Sequence, residues 1–346
     1  MTFNNILIIR TDHLGDLLLS TPLILNIRYG LPNSNITLVA SPANVDALSG
    51  WDALDEIILY DSEWSLLRKI RFVARLRKIR WDLCLVLSPR TDSYILGALS
   101  AAPIRAGIIY SRRMLARLLS PLLLTAPLIL HVDEALEAGT PVPHEVDQLL
   151  GLTDLIGLPA TKYPLSFPLQ NDFTDWGKGC LNQAGLSDEL VIGIHGAQKW
   201  LSEGWKPLDF FNMCCSVGND IPGSSIIVTF GPGELQLAAE FEILTSHHNN
   251  LPQMIFINAP SIQHWAGLLA QCKIVVSPDT GSLHMAAAMK RPVVAIYDSK
   301  TFVHCSSQWA PWQVPHISIC KQSPARTQTE IVDAIRKLLL EVTDDD

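Results

Sequence analysis

Two short turns in this chain carry the residue types that can do chemistry. The first is Pro278-Asp279-Thr280-Gly281, set between an apolar run that ends at Ser277 and a helix-like run of Leu283, Met285, Ala286, Ala287 and Ala288. A helix N-terminus offers unpaired backbone amides and the positive end of the helix dipole, so this turn can hold an anion. Gly281 lets a phosphate approach the backbone closely. The plainer alternative is an N-cap, with Asp279 or Thr280 satisfying the first amides. The second turn is Arg10-Thr11-Asp12-His13-Leu14-Gly15-Asp16, which follows the strand-like run ILII and opens a helix. Asp16, a carboxylate at the carboxyl edge of a strand, can take a proton as a general base. The alternative there is that Asp12 or Asp16 caps the helix and complements its dipole. The turn lacks the glycines of a dinucleotide-binding fingerprint, which disfavours an NAD-dependent enzyme.

The elements that must position these turns alternate along the chain. Strands are expected near 5–10, 35–40, 56–60, 82–87 and 104–108, with helices near 15–29, 42–49, 64–79 and 92–100 between them. The pattern breaks after about 120 and returns as a helix near 143–156. Gly157 to Asn171 holds three prolines and no period, and reads as a linker. Alternation restarts with strands near 190–195, 224–230, 254–257, 272–277 and 292–297. Helices are expected near 206–217, 234–248, 262–270, 282–289 and 328–342. Repeated βα units imply parallel sheets with helices on both faces. The expectation is an α/β chain of two doubly wound domains facing across a cleft: 1–160, a linker at 161–175, and 176–346. Ligands in such sheets sit outside the carboxyl ends of the strands.

Composition narrows the function classes. The 346 residues are 48% hydrophobic and 17% charged, which describes a globular chain. A net charge of −8 argues against a nucleic-acid partner held by bulk electrostatics. Seven cysteines with no CxxC pair disfavour a disulfide framework and suit a reducing cytoplasm. No basic region or cleavage site precedes the first strand, so no signal peptide is expected. The apolar stretch Leu118 to Val132 is interrupted by Pro121 and Pro127 and is too short to span a bilayer; it reads as buried core in preference to a lipid-touching flap. His247, His248, His316 and Cys320 lack the spacing of a metal site, and none is expected. Trp64 to Trp81 holds seven basic residues and no acid, with Arg68, Arg71, Arg75 and Lys78 expected on one helical face and Leu66, Ile70 and Val73 on another. That face is either simply solvated or drawn to anionic headgroups or a phosphorylated acceptor.

In order along the chain, RTDHLGDLLLSTPLILNIR (10–28), HEVDQLLGL (144–152), GIHGAQKWLSEGWKPLDFF (193–211) and SPDTGSLHMAAAMKRPVVAIY (277–297) resemble motifs of glycosyltransferase family 9, the lipopolysaccharide heptosyltransferases. The resemblance spans nearly the whole chain. It implies a GT-B fold and an inverting, metal-independent transfer from a nucleotide sugar, typically ADP-L-glycero-D-manno-heptose. It implies an anionic glycolipid acceptor, typically the lipopolysaccharide inner core, bound through the first domain. Asp16 falls on the family's catalytic base, and Asp279, Thr280 and Gly281 on its donor diphosphate turn, with His284 near the same pocket. Glu234, after Gly231-Pro232-Gly233, falls near the family's ribose-binding acid; a capping role is the even alternative. Where the family has a phosphate-contacting lysine two residues before a tryptophan, this chain has Glu203, and Lys199 or Lys206 stands in as a substitute. Lys300, after the last of these strands, is another source of positive charge. No cofactor is expected beyond the sugar nucleotide. A cytoplasmic enzyme touching the inner face of the membrane fits these features. The competing readings are a relative with another sugar nucleotide or acceptor, and a non-catalytic sugar-nucleotide-binding protein.

Overall fold

The computed structural model describes residues 2–186 and 190–343. The chain divides into two compact units, Met1–Pro168 and Leu169–Asp346.

The first unit holds β1 (Asn5–Arg10), β2 (Asn35–Ala40), β3 (Glu56–Leu59), β4 (Leu83–Val86), β5 (Ile104–Tyr110) and β6 (Ala126–Leu130). Its helices are α1 (Leu14–Leu19), α2 (Thr21–Gly30), α3 (Leu66–Leu76), α4 (Thr91–Leu99), α5 (Met114–Leu123), α6 (Val132–Glu137), α7 (Glu145–Leu150) and α8 (Leu152–Ile156). The strands form one parallel sheet in the order β3-β2-β1-β4-β5-β6. Ile6 to Ile9 are wholly buried, as expected of a central parallel strand covered on both faces. The order in which strands are added reverses between β1 and β4, so their carboxyl ends flank the crevice where such sheets bind ligands.

Three departures from the expected elements have local causes. The helix expected at 15–29 is broken at Ser20 because Pro22 has no N–H to give to Leu18; the Thr21 hydroxyl donates to the Leu18 carbonyl at 2.6 Å instead. The helix expected at 42–49 is a series of turns. There the Asn44 side chain donates to the Asp12 carbonyl at 2.8 Å, holding the segment against the β1–α1 turn. Leu118 to Val132 is neither one buried run nor a loop: it supplies the end of α5 and the edge strand β6, and Leu118 and Leu122 stand exposed. β6 is an edge strand, and none of its five residues is fully buried.

The second unit repeats the plan with β7 (Val191–Gly196), β8 (Ser225–Phe230), β9 (Met254–Ile257), β10 (Ile274–Pro278), β11 (Val293–Tyr297) and β12 (His316–Cys320). Its helices are α9 (Asn171–Gln183), α10 (Pro207–Asp220), α11 (Leu235–Ser246), α12 (Ile262–Leu269), α13 (Gly281–Ala288), α14 (Phe302–Gln308) and α15 (Pro324–Thr343). The parallel order β12-β11-β10-β7-β8-β9 is that of the first sheet, with the reversal now between β7 and β10. Residues 171–175, expected in the linker, are the start of α9. That helix crosses α12 backbone to backbone: a Cβ on Gly177 would lie 2.5 Å from the Gly267 carbonyl oxygen, and one on Gly267 2.1 Å from that of Phe173. Helix α13 is buried from Ser282 to Ala288, and its alanines let it sit close under β10 and β11.

Candidate active site

In the first unit the β1–α1 turn is organised by Arg10, which ends a hydrophobic strand and is 1% exposed. Its Nε lies 3.2 Å from Asp12, and its Nη2 lies 3.5 Å from Asp16 and 3.4 Å from Glu145 of α7. Nε donates to the Asp16 carbonyl at 3.0 Å, and Nη1 donates to the Leu87 carbonyl just past β4. Burial alone would lower the guanidinium pKa; the three carboxylates outweigh it and hold the pKa raised. Burial raises the Asp12 pKa, with Arg10 opposing. The register of β1 with β4 sets the other side of the turn, where the Thr11 amide donates to Ser88 Oγ at 2.8 Å.

Asp16 occupies the first turn of α1 with its side chain about a quarter (26%) exposed, so a substrate hydroxyl can reach it. It also accepts from the His13 amide at 3.4 Å, as the N3 residue of a capping box at the start of α1. Arg10 thus holds one oxygen of the carboxylate and the His13 amide the other, with about a quarter of the side chain left exposed.

In the second unit the loops after β7 and β10 meet. Lys199 Nζ donates to Asp279 Oδ2 at 2.5 Å and to the Asp279 carbonyl at 2.9 Å. Thr280 is the N-cap of α13, yet its hydroxyl turns to the Pro278 carbonyl at 3.3 Å and to Ser282 Oγ at 2.7 Å. No side chain caps the helix, which leaves its first amides, at Gly281 and Ser282, to a ligand or to water. A lysine beside uncapped helix amides is an arrangement suited to a diphosphate. His284 is buried one turn further along α13. Glu234, at the start of α11, accepts from the Gln198 amide at 2.9 Å and so ties the β8 loop to the β7 loop. Of the two candidate lysines, Lys199 joins this cluster; Lys206 is exposed at the N-cap of α10, where its amide donates to Asp209 at 2.8 Å. Lys300 is exposed in a 3-10 turn.

Glu203 has a different employment from the lysine expected at its position. With φ at 57° it turns its carboxylate to the Ser299 amide at 3.0 Å and hydroxyl at 2.5 Å. The neighbouring Ser202 hydroxyl bonds Asp298. These contacts fasten the β7 loop to the β11 loop.

The basic segment behaves differently from the expectation. Helix α3 ends at Leu76, so Lys78 lies beyond it and does not share a helical face with Arg68, Arg71 and Arg75. Arg68 stacks 4.0 Å over the Trp64 ring, and Arg75 lies 3.8 Å from Glu56 in an exposed pair. The buried residues of α3 are Phe72 and Leu76, while Leu66 and Ile70 are exposed.

The profile of Glycosyltransferase family 9 (heptosyltransferase) matches residues 69–338. The chain belongs to this family. No curated protein sequence matches it. Among solved structures, glycosyl transferase family 9 of Veillonella parvula DSM 2008 superposes with a TM-score of 0.79 at 18% identity, over 99% of this chain and 98% of that one. The ADP-heptose lipopolysaccharide heptosyltransferase II of E. coli gives 0.76 at 19% identity, over 98% and 99%. The E. coli heptosyltransferase WaaC with ADP gives 0.70 at 17% identity, over 97% and 99%. At these identities the likeness is one of fold, and the two doubly wound units are those of a GT-B glycosyltransferase.

Two features of this family 9 glycosyltransferase have no signal in the local sequence. Lys321, just past β12, is 2% exposed, and its three N–H groups are shared among four acceptors: the carbonyls of Lys199 at 3.0 Å, Trp200 at 2.7 Å and Ser202 at 2.9 Å, and Ser202 Oγ at 2.7 Å. Burial lowers its pKa to about 8, against the pull of Asp298 and Glu203. The ammonium thus gathers the carbonyls of the 3-10 turn that carries Lys199. A lone lysine in KQSP gives no local signal of this, since its acceptors lie about 120 residues away.

The second is His195, buried near the end of β7, whose Nδ1 lies 3.1 Å from Thr229 Oγ1 on β8; Trp265 donates to the same hydroxyl at 3.2 Å. Burial lowers its pKa to about 4, so the folded glycosyltransferase holds it neutral. A depressed histidine pKa contributes stability that is complete above the unfolded value near 6.5 and is lost as pH falls toward about 4. The expected result is a loss of about 3 kcal/mol from the unfolding free energy across that window, relative to a His195→Gln variant. Urea titrations of both proteins at several pH values measure it, and parallel pH profiles would contradict it.

Proposed function

We propose that the enzyme moves heptose from ADP-L-glycero-D-manno-heptose to a lipopolysaccharide core or related glycolipid acceptor, with inversion. The observation that carries the reading is the Lys199–Asp279 pair at the uncapped N-terminus of α13. The acceptor hydroxyl attacks the anomeric carbon from the face opposite the diphosphate. Its proton passes to the Asp16 carboxylate. The bond from the anomeric carbon to the diphosphate oxygen breaks, and ADP leaves with the electron pair. Lys199 exchanges Asp279 for the diphosphate, and the Gly281 and Ser282 amides share the developing charge, so this reading routes no step through a metal. Asp279 orients Lys199 before the donor arrives. Glu234 is placed on the donor ribose and His284 beside the diphosphate turn. Among the described residues no helix is long and apolar enough to cross a membrane. A glycolipid acceptor would bring such a chain to the inner face of the cytoplasmic membrane, with Arg68, Arg71, Arg75 and Lys78 near the acceptor's anionic groups.

Mass spectrometry of a reaction with ADP-heptose and a heptose-free core acceptor tests the proposal; a product heavier by one heptose is expected. Product formed only with another sugar nucleotide would overturn the donor assignment, an outcome favoured to the extent that Glu203 replaces a phosphate-binding lysine. Lys199→Met is expected to raise KM for the donor by about tenfold to a hundredfold, the worth of a charge-assisted hydrogen bond, and Lys206→Met to leave it unchanged. Initial-rate measurements decide between the two lysines.

A further inference from the structure

Phe72 and Leu76 of α3, Tyr94 and Leu96 of α4, and Leu123 at the end of α5 pack in one core cluster, so these three helices cover one face of the first sheet. Their outward sides are unusually apolar. Leu66, Leu67 and Ile70 are 74%, 68% and 54% exposed on α3, and Ile95 and Leu99 are also exposed on α4. Met114, Leu118 and Leu122 recur every four residues along one side of α5 and are each more than 70% exposed. Eight of the seventeen large apolar side chains that stand exposed among the described residues therefore lie on three consecutive helices. Soluble chains seldom leave so many together unless something covers them. Between α3 and α4 the surface sinks into an apolar groove of about 370 Å³ floored by Tyr60, Val73 and Leu96, with Lys69 at its rim.

The charge of the same region says what the cover is. Residues 64–123 contain twelve lysines and arginines and two acids, in a chain whose net charge is −8. Cations interleaved with exposed leucines complement an anionic lipid surface: the arginines meet headgroup phosphates, and the apolar side chains enter the acyl boundary below. A protein partner of matching acidity would satisfy the arginines but not the leucines that stand among them.

We propose that the outward face of α3, α4 and α5 anchors the enzyme to an anionic lipid bilayer, with Leu66, Leu67, Ile70, Leu118 and Leu122 inserted and Arg68, Arg71 and Arg75 on the headgroups. This deepens the glycolipid reading and rests on it for the choice of a bilayer; binding is measured without turnover, so either can fail alone. The full chain is sedimented with vesicles of phosphatidylcholine, with and without phosphatidylglycerol. Wild type is expected to partition onto the anionic vesicles and to leave them in high salt. A Leu66→Ser, Leu67→Ser, Ile70→Ser triple variant and a Leu118→Ser, Leu122→Ser double variant should each lose roughly tenfold or more in partition coefficient. Serine at exposed positions spares the core, and melting curves verify that these variants fold. Leu235→Ser with Ile243→Ser, exposed apolar residues of α11, should bind as wild type does. Wild type that ignores anionic vesicles, or helix variants that bind undiminished, overturn the proposal. A dimer on gel filtration that the same variants turn into monomer also overturns it, because a second copy of the chain would then be the cover.

Discussion

Asp16→Asn is expected to lower kcat by about 10²- to 10⁴-fold, the usual worth of a positioned general base, with little change in the donor KM. Asparagine keeps the shape of the side chain and can still accept from the His13 amide, so the turn survives. What it loses is the ability to take the acceptor proton and the ion pair to Arg10 at 3.5 Å. The donor side, with Lys199, Asp279 and α13, belongs to the other unit and is untouched. Steady-state kinetics with both substrates varied would show the split. An asparagine variant with wild-type kcat removes Asp16 from the mechanism.

The largest effect on stability is expected from Arg10→Met, about 3–5 kcal/mol from the first unit, because removing one partner of a buried charge cluster leaves the others uncompensated. Asp12 and Glu145 are themselves largely buried, with side chains 11% and 3% exposed, and face the guanidinium at 3.2 and 3.4 Å. Burial already raises the Asp12 pKa in the presence of Arg10, so without it the neutral carboxyl is favoured further. The deficit should therefore shrink on acidification, as the Asp12 carboxyl takes up a proton. Urea unfolding at neutral and acid pH measures both the deficit and its recovery; a deficit that grows on acidification would contradict the cluster's role. Arg10→Lys should fall between, since one ammonium cannot reach three carboxylates and two carbonyls at once.

Much of the fold was legible because its causes are local. The runs ILII and IVV are long enough and apolar enough to be central strands, and both are buried throughout. The βα turns announced themselves by Gly15 with Asp16 and by Asp279-Thr280-Gly281, and the structure places each at the carboxyl end of a strand beside the reversal of its sheet. Departures from the expected elements each have a particular cause. Pro22 interrupted one helix, Asn44 was drawn to Asp12 away from a helical turn, and β12 was missed because HISIC is short and half exposed.

The sequence alone determined the two βα repeats, the two turns able to do chemistry and the family motifs in order, since each depends on residues within a few positions of one another. Tertiary structure decided which charges meet. It set Lys199 against Asp279 and left Lys206 exposed, gave Glu203 to Ser299, brought Glu145 to Arg10 across 135 residues, and gathered the carbonyls of the Lys199 turn around Lys321. It also left Leu66 and Ile70 facing outward by burying Phe72 and Leu76 in their place. The reason is physical: strand order and crossover direction fix which loops share an edge, and a long charged side chain has no preferred partner until that edge exists.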